Sequence, residues 1–98
     1  MPMLHIVNRS PYERNSLDTA VGLMRDGDML LLIEDGVYAA MKSGSAASAL
    51  EGKKVAALGA DLAARGIAVD KLVDGVSVVD YTGFVDLVEE TDKSQSWL

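Results

Sequence analysis

Two aspartates stand where this sequence could do chemistry. Leu30-Leu31-Leu32-Ile33 runs into Glu34-Asp35-Gly36, and Val76-Ser77-Val78-Val79 runs into Asp80. Four apolar residues in a row leave no polar face, as in a parallel strand covered on both sides. The turn that leaves the carboxyl end of such a strand is where open α/β sheets usually build their sites. Asp35 and Asp80 together could hold magnesium or take part in phosphoryl transfer. The plainer reading is that each aspartate caps the helix after it, and that Gly36 eases the bend.

The rest of the composition narrows the chemistry. Phosphoryl transfer of the receiver type also needs a lysine at the end of a late strand, and none follows Val76–Val79. The sequence holds no cysteine, so it cannot form a disulfide, bind zinc through thiolates or carry sulfur as a persulfide. Its one histidine, His5, lies in the apolar run Met3–Val7 and reads as a satisfied strand histidine rather than a catalyst. Fifteen acids against nine bases give a net charge of −6, with no basic cluster, which argues against direct nucleic-acid binding. No metal or cofactor is expected on these grounds. There is no apolar run of about 18 residues and no basic segment leading into an apolar one at the N-terminus. Neither a membrane span nor a signal peptide is expected, and the cytoplasm is the expected location.

The elements that must position these residues alternate along the 98-residue sequence, which suits one domain over residues 1–98 with a polar tail from about residue 93. Met3–Val7 reads as a first strand. Asn15 or Ser16 caps a helix whose Leu17, Ala20, Val21 and Met24 share a face, with Gly27 as its stop. The Leu30–Ile33 strand leads to a second helix through Val37, Ala40 and Met41. A flexible small-residue connection follows over Ser43–Ser48, with room for one helical turn up to Leu50. Lys53–Leu58 is a third strand, with a short helix after it to Gly66, and Ile67–Gly75 fits either a helical turn or a small strand. Val76–Val79 reads as the last central strand. A final helix runs from Asp80 to about Asp92, with Tyr81, Phe84, Val85 and Val88 turned to the sheet. The fold class expected is a three-layer α/β/α domain with a mostly parallel sheet of four or five strands, flavodoxin-like in general style.

Several stretches together resemble one family. LHIVNRSPYERNSL (Leu4–Leu17), LLLIEDGVYAA (Leu30–Ala40), LGADLAARGI (Leu58–Ile67), SVVDYTGFVDL (Ser77–Leu87) and the closing SWL are similar to the DsrH/TusB family, in one order over nearly the whole sequence. The resemblance implies the smallest subunit of a sulfur-relay complex, a heterohexamer with DsrE/TusD-like and DsrF/TusC-like partners, two copies of each. The persulfide is then carried by a cysteine on the DsrE/TusD-like subunit. The DsrH/TusB-like subunit completes the assembly without being catalytic itself. The pathway implied is either tRNA wobble-uridine 2-thiolation or oxidative sulfur metabolism. DsrH-type relatives carry a cysteine in the first helix about where Ala20 stands here, so accessory thiol chemistry does not carry over.

The tail poses its own question, because Trp97-Leu98 closes a polar stretch. A large aromatic there is best explained by burial, either on its own domain beside Tyr81 and Phe84 or against a neighbouring subunit. Trp97, Leu98, Tyr81 and Phe84 are therefore the expected interface residues. The alternative to the relay subunit is a free-standing small-ligand or metal-binding domain that uses Asp35 and Asp80.

Overall fold

The Leu-rich run builds the middle of the sheet. In a computed structural model, which describes residues 3–13, 15–91 and 93–97, β2 (Met29–Leu32) pairs with β1 (Met3–Val7) on one side and β3 (Lys54–Leu58) on the other. Leu30 and Leu32 point into one apolar cluster and Leu31 into a second on the opposite face, all three fully buried. This is what an apolar run with no polar face requires. β4 (Val76–Val79) and β5 (Lys93–Trp97) form the two edges of an all-parallel, five-stranded sheet in the order β4-β3-β2-β1-β5.

Right-handed crossovers decide which face each helix covers. From β1 to β4 the chain steps in one direction, so its connections lie on one face. These are α1 (Ser16–Leu23), two 3-10 helices (Glu34–Ala40 and Ser45–Leu50), α2 (Gly59–Ala64) and a single 3-10 turn (Val69–Lys71). Leu17, Ala20, Val37, Ala39, Ala40, Leu50, Leu62, Ile67 and Leu72 bury themselves there. The step from β4 to β5 crosses the whole sheet in the other direction, so α3 (Tyr81–Glu90) lies on the opposite face. It packs Phe84 and Leu87 over Leu4, Leu31 and Ala56.

Five sequence expectations change here. The second helix is a 3-10 helix whose N-cap is Ile33, with no side-chain cap, so Asp35 does not cap it. Gly36 does not ease the bend through unusual backbone angles. Glu34 takes the left-handed conformation instead, at φ 48°, and Gly36 serves close approach, since a Cβ on it would run into the carbonyl of Val7. β4 is an edge strand rather than a central one, because the order of strands follows from crossovers that a Val-Ser-Val-Val pattern does not encode. Residues 93–97, read as a polar tail, pair along their whole length with β1. α1 ends at Leu23 with Met24 as its C-cap, and Gly27, at φ 89°, belongs to the turn that delivers Asp28 to the start of β2.

Candidate functional site

The carboxyl edge of the sheet is where the two sequence-predicted aspartates lie, and each already has a partner. Asp35 Oδ1 accepts from Arg65 Nε and pairs with its second guanidinium nitrogen, both at 2.9 Å. Arg65 also donates to the carbonyl of Asp61 at 3.2 Å. The Asp61 carboxylate in turn accepts the backbone N–H of Glu34 at 2.7 Å, supporting the residue with positive φ. Asp61 and Arg65 thus fasten α2 to the turn after β2. Asp80 caps α3, its Oδ1 accepting from the Gly83 N–H at 2.8 Å. A shallow open groove beside it is lined by Gly59, Val78, Asp80, Tyr81 and Gly83, without Asp35. Among the described residues no three His, Asp or Glu side chains are grouped to hold a metal ion.

With these tasks the two carboxylates should tolerate amidation. Asp35→Asn loses one exposed ion pair and Asp80→Asn keeps a good cap, so each should cost at most about 1 kcal/mol in urea unfolding. A larger loss at either position would give that carboxylate a further role.

The most fully satisfied polar group among the described residues lies elsewhere. His5, in mid-β1, is 2% exposed and Asp28, just before β2, is 6% exposed. His5 Nε2 meets Asp28 Oδ2 at 3.0 Å, and the indole N–H of Trp97 donates to His5 Nδ1 at 3.1 Å. An indole N–H can only donate, so Nδ1 accepts and Nε2 carries the proton given to Asp28. The two rings stack with centroids 6.1 Å apart and planes inclined by 17°. Asp28 also accepts the N–H of Met3 at 2.8 Å and of Arg25 at 3.0 Å. Burial by itself pushes the Asp28 carboxyl up, but the hydrogen bonds from Arg25, His5 and Met3 outweigh it and hold the carboxyl down to about 2.

This trio resembles an acid–base relay in residue type only. Both imidazole nitrogens are engaged, so none is left to take a substrate's proton, and no nucleophile shares the network. Its effect is to tie β1, the start of β2 and β5 together. His5 is thus the satisfied strand histidine expected of it. Asp28 was not legible in advance, since Arg25-Asp26-Gly27-Asp28 offers two aspartates and only the turn at Gly27 decides which one enters the sheet.

The expected interface residues do not form one patch. Trp97 is half-buried and packs with the cluster on the α1 face, on His5 rather than beside Tyr81 and Phe84. Phe84 packs against the opposite face, and Tyr81 stands 64% exposed on the same helix. Leu98 lies outside the described residues.

Comparison with known proteins matches this architecture. The DsrH family, described as DsrH like protein, covers residues 9–94. Protein TusB of Enterobacter sp. (strain 638) is 38% identical over 97 residues, which is 97% of this chain and all of that protein. Protein TusB of Escherichia coli (strain K12) is 35% identical over the same coverage. Among solved structures, the ychN protein from E. coli superposes with a TM-score of 0.80 at 23% identity, covering 99% of this chain and 100% of that one. MTH1491 from Methanobacterium thermoautotrophicum gives 0.73 at 16% identity, with 97% of each chain covered. The structural likeness shows a shared fold, and the full-length sequence identity goes further: the chain belongs to the DsrH/TusB family.

Proposed function

We propose that this protein is a cysteine-free, non-catalytic subunit of a sulfur-relay complex. The observation that carries the reading is the absence of any thiol in a member of this family. Persulfide transfer needs a sulfur nucleophile at each station, and a chain without one must leave that step to its partners. The partners are DsrE/TusD-like and DsrF/TusC-like subunits in a cytoplasmic heterohexamer, with the persulfide on the DsrE/TusD-like cysteine. Sulfur then leaves either toward tRNA wobble-uridine 2-thiolation or into oxidative sulfur metabolism. The whole chain acts as one domain, and Trp97, Leu98, Tyr81 and Phe84 are its candidate partner contacts.

The test is reconstitution. Co-expression with such subunits, followed by size-exclusion chromatography with mass determination, should give a complex that contains this chain. Incubation with a cysteine desulfurase and labelled cysteine should place label only on a cysteine-bearing partner, and the mass of this chain should stay unchanged. Covalent sulfur on this polypeptide, or a persistent monomer in the presence of the partners, would sink the proposal.

A further inference from the structure

The outer side of α3 carries more apolar surface than its own sheet can use. Phe84 and Leu87 meet the sheet, whereas Tyr81, Val85 and Val88, spaced i, i+4 and i+7 along one line of the helix, are 64%, 54% and 39% exposed. Val78 of β4 is 42% exposed and lines the groove at the carboxyl edge together with Tyr81, but on the α2 face of the sheet rather than along α3. Among the described residues the other large exposed apolar ones, Tyr12, Leu23 and Val69, belong to three other segments. β4 adds a second oddity. Open strand edges are usually blunted by charge or proline, as β5 is by Lys93, yet β4 is Val-Ser-Val-Val with neither. An exposed apolar line of this kind marks a surface meant to be covered.

Charge selects what covers it. Asp80, Asp86, Glu89 and Glu90 are all exposed, and no lysine, arginine or histidine occurs anywhere in Val76–Glu90. A second copy would bring its own four acids against these, on a chain that already carries a net charge of −6. Like charges facing one another across an interface disfavour that pairing. We propose that the surface formed by Tyr81, Val85 and Val88 docks a different protein chain, one that offers an apolar ridge flanked by lysine or arginine. This inference rests on the sulfur-relay reading, in which the occupant is one of the two partner subunits.

Co-expressed complexes with the DsrE-like and DsrF-like subunits provide the test. The double variant Val85→Glu/Val88→Glu changes only exposed side chains, so its melting temperature as an isolated chain should match wild type. Its dissociation constant for the partners should rise at least about 30-fold, the scale of an interface hot spot. The milder Val85→Ser should weaken binding in the same direction. Leu23→Glu, on the exposed side of α1 across the sheet, should leave assembly unchanged. Raising the salt concentration should slow association with wild type, and less so with Glu89→Gln/Glu90→Gln. A wild-type complex unaffected by Val85→Glu/Val88→Glu or by Val85→Ser would overturn the docking surface while leaving the relay reading intact. Self-association abolished by the same substitutions would overturn the choice of occupant. Failure of wild type to join any complex would overturn the relay reading and this inference together.

Discussion

Asp28→Asn is expected to lower the melting temperature by roughly 10–20 °C, from a loss of about 2–3 kcal/mol in a domain of this size. The carboxylate accepts three hydrogen bonds, from the N–H groups of Met3 and Arg25 and from His5 Nε2. An amide offers one oxygen, so whichever way it turns, its NH2 faces at least one of those donors and leaves it buried and unpaired. Asp26→Asn, two residues earlier and exposed, is the matched control and should shift the transition little. The pH dependence carries the same signature. A carboxyl held below its ordinary value contributes stability that is complete above the unfolded value and lost as pH falls through the folded one. For Asp28 that window runs from 3.8 down to about 2. Wild type should therefore lose this contribution between about pH 4 and pH 2, whereas the variant should show a shallower acid slope. Equal slopes in an acid titration followed by circular dichroism would remove Asp28 from the account.

Gly36→Ala should be at least as damaging, at about 3–5 kcal/mol, enough to bring a domain of ordinary stability near unfolding. The added methyl would enter the carbonyl oxygen of Val7, which already accepts the N–H of Ile33 at 3.1 Å. The obstacle is backbone and cannot rotate away, so β1 and the 34–40 helix must separate. Gly22→Ala offers a contrast of sign. Gly22 lies inside α1 with open space around it, and alanine there should stabilise by about 0.5–1 kcal/mol. Urea midpoints of the two variants should move in opposite directions. A tolerated Gly36→Ala would show that the approach of these two segments is not needed for folding.

What could be read in advance depended on whether burial left a mark on the side chains. β2 was legible because Leu30 to Leu32 face apolar layers on both sides, and no other environment suits such a run. Asp80 was legible as a cap, since its carboxylate acts within its own first turn. β5 was not legible, because Lys93 to Ser96 are all exposed and only their backbone enters the ladder. The side facing of α3 was misread for a related reason. Tyr81, Val85 and Val88 carry the same apolar signature whether their own sheet or another surface receives them. The Asp28 network was beyond the sequence altogether, since it joins residues 23 and 92 positions apart. Family membership was legible for a different reason, because the resemblance drew on segments spread over nearly the whole length.

The pairing of β1 with β5 also sets an order in time. Met3 aligns with Lys93 and Val7 with Trp97, so the first strand to be synthesised waits for the last before both its edges are hydrogen-bonded. Until then a nascent chain can assemble β1 to β4 from near neighbours, while the free edge of β1 stays open to any extended peptide. His5 keeps an unfilled acceptor through the same interval, because its donor is Trp97. Synthesis arrested after β4 and before β5, between residues 80 and 92, would thus leave four of the five strands with the edge of β1 open.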